Sequence, residues 1–160
     1  MKKRLIELAA LACLVLSAPG ASAQALAVFA DKQFQPVLKE IEPLFVQQTG
    51  FAVDFSWGRS AALAEKIIRA ETPPDVFFPA TEDDMQLVVQ KGLVDVALKR
   101  NVLVVPSTKP VEEGVEPETE YTSAAVLLNA ANRLQAMAFL EFLTSEPARA
   151  AFARQGFALP

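Results

Sequence analysis

Histidine occurs nowhere in this sequence, and the single cysteine, Cys13, lies near its start. Without imidazole, a Ser-His-Asp triad, a Cys-His dyad and a histidine-ligated zinc site are excluded by composition. Beyond Cys13 there is no thiol either, hence no disulfide, no thiolate nucleophile and no sulfur-held metal. Hydrolases of the common kinds drop out, and no enzyme is expected. An excess of cations is also missing: 15 Lys and Arg stand against 19 Asp and Glu, a net charge of −4. A chain of this sign is a poor partner for nucleic acid or anionic lipid.

The first 23 residues have a different character. "MKKR" gives a positive start, "LIELAALACLVLSA" an apolar run and "PGASA" a small-residue ending. This is the layout of a secretory signal peptide, too short and wrongly flanked for a permanent membrane anchor. Cleavage after Ala23 and delivery to the periplasm are expected, with no stable membrane insertion. Apolar "LVLSA" continues past Cys13, which argues against lipid attachment there. The leader carries three cations and one acid, a net +2, so residues 24–160 carry −6. That stretch suffices for one domain with a real core.

Beyond the leader, short apolar runs alternate with helical periods. "ALAVFA" (25–30) reads as a strand buried on both faces, and 34–50 as a helix with Val37, Leu38, Ile41, Leu44 and Phe45 on one side. Pro36 suits its first turn, Gly50 its end, and Pro43 predicts a kink or broken turn within it. Further strands are expected at 51–55, 73–80, 101–106 and 123–129, with helices at 60–71, 81–92, 133–145 and 146–156. Thr81 is the expected N-cap of the third helix. Residues 107–122, rich in Glu and Pro, read as a solvated linker. The alternation predicts an α/β fold: a single three-layer lobe with a mostly parallel central sheet of about five strands flanked by helices.

In such sheets ligands gather where strands end and helices begin. The stretch "DFSWGRSAALAEKI" (54–67) is such a place, with a glycine, a cation and a hydroxyl at the mouth of a helix. Helix starts favour anions, so Ser60 is a candidate anion ligand. Ser60 also reads as a plain helix N-cap. Gly58 reads as a residue of positive φ in a tight turn, and Trp57 as packing on its own loop. Arg59 and Lys32 read as surface cations, although both stand at strand-to-helix junctions. The run Glu82, Asp83, Asp84 fits a solvated first helical turn complementing the dipole better than a hard-metal site.

Several stretches resemble one family in order. "LAVFADKQFQPVLKEIEPLF", "VDFSWGRSAALAEKI", "PPDVFFPATEDDMQLVVQKGLVD", "NVLVVP" and "NAANRLQAMAFLEFLTSEPARAAFARQGF" are similar to consecutive segments of periplasmic molybdate-binding proteins, the substrate-binding components of molybdate ABC transporters. The resemblance implies a type II periplasmic-binding-protein fold, a molybdate or tungstate ligand held by hydroxyls and backbone N–H groups, no metal cation, no cofactor and a transporter permease as partner. It places Ser60 on the family's second-loop serine and Gln33 on its first-loop serine, with Arg59 and Lys32 beside them. The chain departs from the family after "NVLVVP", where only 107–122 stand in place of a second lobe. Tyr121 does not match the family's ligand tyrosine, because it precedes the returning strand. A one-jawed lobe is expected to bind its anion weakly, and a homodimer closing one site edge on another would restore the second jaw. The alternative expectation is a scaffold or sensor module that has lost transport.

Overall fold

The computed structural model describes residues 24–69, 71, 73–105 and 120–160. The expected leader and residues 107–119 of the expected linker fall outside them, and its last residues, 120–122, are not linker but the start of a strand, because they pair with 103–105. Strand β1 (Leu26–Asp31) has Leu26, Val28 and Ala30 fully buried and Phe29 nearly so. Such burial on both sides is what a strand covered by helices on both faces requires. A 3-10 turn (Lys32–Phe34) leads into α1 (Gln35–Thr49). Pro36 lies in the first turn and Gly50 ends the helix with a left-handed φ of 75°. Pro43 does not break the helix as expected; α1 runs through it. Proline removes one N–H, and the buried stripe of Val37, Leu38, Ile41 and Phe45 holds the two halves to the same core.

The chain continues through β2 (Val53–Gly58), α2 (Ser60–Ile68), β3 (Val76–Phe78), α3 (Glu82–Gln90), β4 (Val94–Val105), β5 (Glu120–Leu127), α4 (Arg133–Leu143) and α5 (Glu146–Arg154). The five strands form one sheet in the order β2-β1-β3-β5-β4. The β1 pairings with β2 and β3 are parallel, whereas β5 runs antiparallel to both β3 and β4. The sheet is therefore mixed, as β5 alone runs against the other four strands, and the expected mostly parallel direction holds. Tyr121 lies inside β5 and not before it, opposite Val104.

Strand alternation sorts the side chains into two cores. Leu26, Val28, Ala30, Val76, Phe78 and Val126 meet α1, α4 and α5 on one face. Phe29, Phe77, Ala125 and Leu127 meet α2 and α3 on the other. These are the three layers the periodicity implies, helix over sheet over helix. Phe34 stacks on Phe78 with ring centroids 4.5 Å apart, which seats the loop after β1 on the end of β3.

At the opposite end of the sheet a buried carboxylate ties distant segments together. Asp75 accepts from the N–H of Ala27 at 2.9 Å, the N–H of Asn132 at 2.8 Å and the Asn132 amide at 2.9 Å. It thereby fixes the start of β1 and the entry to α4 against β3, and leaves the carboxyl ends of the strands as the free edge.

Candidate functional site

Register brings the two loops singled out in the sequence together. β1 and β2 are parallel and end level, with Asp31 opposite Gly58, so the 31–33 turn and the start of α2 lie side by side. Their N–H groups converge on one point, and that point is a side chain of the protein. Asp31 Oδ2 accepts from the Ser60 N–H at 2.8 Å and from the Ser60 hydroxyl at 2.7 Å. Asp31 Oδ1 accepts from the Gln33 N–H at 3.0 Å. The N–H groups are therefore not free. Asp31 is only 8% exposed, and Ser60 3%.

A third loop joins them. The Ala80 N–H, just beyond β3, donates to Ser60 Oγ at 2.7 Å, and the Thr122 hydroxyl donates to the Ala80 carbonyl at 3.0 Å. Ser60 is thus not the helix N-cap it resembled. Arg59 holds the cap position and Ser60 is the first helical residue, with its hydroxyl spanning the loops after β1 and β3. The β2 pairing ends at Gly58, and the helix starts at Ser60, one residue earlier than a Ser60 cap requires. Gly58 is not a positive-φ residue either. Space is tight instead: a Cβ there would lie 3.0 Å from the Leu63 side chain, which would have to shift.

Of the other candidates, Gln33 is exposed, with only its N–H engaged by Asp31. Lys32 and Arg59 are exposed beside it and supply positive potential without a direct contact to Asp31. Trp57 stacks on Phe55 at a centroid separation of 4.7 Å, and so packs along its own strand. Gln33, Ala80 and Thr122 also border a groove of about 240 Å³, closed on its other side by Leu103, Phe157 and Ala158. Asp31 and Thr122 are the residues that sequence reasoning missed. Asp31 had a readable signal: an Asp ending an apolar strand, immediately before a helical turn, caps that turn by accepting from the N–H two residues on.

The acidic run resolves differently from a wholly solvated turn. Thr81 caps α3 by accepting from the Asp84 N–H at 3.3 Å. Glu82 is half-buried and accepts from Lys99, from Gln86 at 2.7 Å and from the Ser123 hydroxyl at 2.6 Å. Burial raises the Glu82 pKa, but the hydrogen bonds from Lys99, Ser123 and Gln86 outweigh it and hold the carboxyl below the usual range. Among the described residues no group of three or more His, Cys, Asp or Glu could hold a metal ion.

What the edge presents is a set of donors, two from backbone and one hydroxyl, aimed at a single carboxylate at the carboxyl ends of parallel strands. This is an α/β lobe whose candidate site lies at the carboxyl edge of the sheet, where such folds place their ligands. A family profile described as bacterial extracellular solute-binding protein matches residues 26–117 and 110–158. The chain belongs to that family, whose members bind solutes and are not enzymes. The substrate-binding domain assigned to a molybdenum ABC transporter of Clostridium difficile superimposes with a TM-score of 0.73 at 12% identity, over 85% of this chain and 99% of that one. The Azotobacter vinelandii periplasmic molybdate-binding protein does so with 0.73 at 16%, over 85% and 100%. Iron-bound HitA from Pseudomonas aeruginosa follows with 0.65 at 13%, over 82% and 84%. These likenesses establish the fold seen in the sequence resemblance; their ligands differ. No curated protein matches the sequence significantly. No described helix is long and apolar enough to cross a membrane.

Proposed function

We propose that the chain is a periplasmic solute-binding lobe for a small tetrahedral oxyanion of the molybdate or tungstate kind, working with an ABC transporter permease. The observation that carries this reading is the donor set around Asp31. The Ser60 N–H, the Ser60 hydroxyl and the Gln33 N–H meet on one negatively charged group. N–H and O–H donors converging on one point suit an anion. Lys32 and Arg59 raise the local anion concentration from the rim. Residues 1–23 act as the export signal.

β4 and β5 pair as far as Val105 and Glu120, which leaves only residues 106–119 between them. So short a segment is too small to form a lobe with its own core. The ligand is then held from one side, and the dimer that would supply the other jaw is part of this proposal. Charge-assisted hydrogen bonds contribute about 1.5–3 kcal/mol each. Losing about three of them weakens a closed clamp by roughly three to six decades. Binding by the monomer is accordingly micromolar to millimolar.

Titration of the full chain with molybdate, tungstate and sulfate by calorimetry tests the reading. Weak saturable binding that Ser60→Ala diminishes is expected; binding indifferent to Ser60→Ala contradicts it. A second reading, a scaffold or sensor module without transport, is favoured by one observation: the donors are already satisfied within the chain. It predicts no saturable oxyanion binding at any concentration.

A further inference from the structure

We infer that the outer edge of β4 and the exposed stripe of α4 form a docking surface for a second copy of this chain. The inference goes beyond the oxyanion reading and does not depend on it. β4 is an edge strand, with β5 and β3 between it and β1, so this face lies along the side of the sheet. A copy seated there leaves the carboxyl edge open, and the contact is separate from one that would supply a second jaw. Val104 meets Ala158 in an isolated bridge; along the rest of the outer edge no strand pairs with β4 among the described residues. Such an edge offers its N–H and C=O groups to another chain.

Apolar side chains gather beside that edge. Six large ones are exposed among the described residues, and four of them, Val96, Leu128, Leu134 and Met137, belong to this corner. The ion pair between Arg133 and Asp95 holds the start of α4 to the start of β4. It brings together Leu134, 76% exposed, and Val96, 66% exposed. The Leu128 N–H donates to the Leu93 carbonyl at 2.9 Å, which places Leu128 there as well. Farther along, Met137 borders a groove of about 290 Å³ lined also by Leu98, Arg100, Leu140, Glu141 and Thr144. Leu134, Met137 and Glu141 follow one another at three- and four-residue steps, so they form one stripe on α4. Contiguous exposed apolar surface of this kind marks a contact site.

Charge selects the occupant. The chain carries −4 overall, so two copies repel in most orientations. This face is neutral, with Arg100 and Arg133 against Asp95 and Glu141. Arg100 and Glu141 line the same groove, yet no ion pair joins them. A two-fold contact requires a surface complementary to itself. An axis through the groove sets Arg100 of each copy against Glu141 of the other and packs the two α4 stripes together. From Val94 to Val102 the edge spans about 30 Å, and a strand with its covering helix is about 20 Å deep. Each copy then covers roughly 600 Å², the lower end of stable interfaces, so a dimer of micromolar strength is expected.

Sedimentation of the exported chain across the micromolar range tests the inference, with circular dichroism confirming that each variant is folded. A monomer–dimer equilibrium is expected. Leu134→Glu combined with Met137→Glu, both at exposed positions, weakens it at least about tenfold. Arg100→Glu and Glu141→Arg each weaken it alone, and an equal mixture of those two variants associates again, because each supplies the charge the other lacks. A chain that stays monomeric throughout overturns the inference. So does a dimer that none of these variants weakens, and so does one that forms only with molybdate and ignores them, which is the jaw-closing contact instead.

Discussion

Two carboxylates lie buried at opposite ends of the same sheet, Asp75 beside the start of β1 and Asp31 at its end, 3% and 8% exposed respectively. Each accepts three hydrogen bonds from N–H or O–H donors. Their surroundings separate them. The donors of Asp75 belong to β1 and to the residue before α4, segments 48 and 57 positions away in sequence. Those of Asp31 belong to the loops at the carboxyl edge, beside an open groove. One carboxylate fastens the lobe together in a closed interior, and the other lies at the edge where the solute is proposed to bind. The lesson is that satisfied hydrogen bonds alone do not distinguish a latch from a candidate site; what borders them does.

The comparison is sharpened first by Asp75→Ala. It strands two backbone N–H groups and an amide in a closed interior, each costing about 1–3 kcal/mol, so a loss of roughly 3–9 kcal/mol is expected in denaturant unfolding. Asp31→Ala removes a cap where water can enter from the groove, and a loss of about 0.5–2 kcal/mol is expected by the same method. Equal losses at the two positions break the comparison and make Asp31 a second latch. The smallest effect concerns pH. The Glu82 carboxyl titrates below its ordinary value because Lys99, Ser123 and Gln86 stabilise its charge despite burial. A lowered folded-state pKa adds stability above the ordinary value, and that stability is lost as pH falls through the folded one. Melting curves below pH 5 are therefore expected to fall less steeply for Glu82→Gln than for the unaltered chain, while Asp83→Asn, in an exposed position, leaves the slope unchanged.

Most of the fold was legible because it depends on periodicity. Apolar runs at 25–30 and 73–80, the helical stripe from Val37 to Phe45, and the end signals at Pro36, Gly50 and Thr81 all describe local preference. The first half of β4 was not legible. Residues 94–100, "VDVALKR", lack an apolar run, and this edge strand is fixed by its pairing with β5 instead. The antiparallel β5 escaped notice for a related reason, since strand direction is set by connections and not by composition. At the site, residue type and junction position located Ser60 and Gln33. The partner that occupies them was hidden because a lone Asp carries no pattern, and only register reveals that it faces Ser60 across 29 positions. Pro43 and Gly58 misled because each was judged by local rule, whereas a buried stripe and the Leu63 side chain decide them.

The most direct measurement is a crystal structure of the Asp31→Ala chain soaked in molybdate, with anomalous data collected at the molybdenum edge. The account predicts a molybdenum peak at the carboxyl edge, with oxygens within hydrogen-bond reach of the Ser60 N–H, the Ser60 hydroxyl and the Gln33 N–H. An empty edge with molybdenum bound only elsewhere contradicts it.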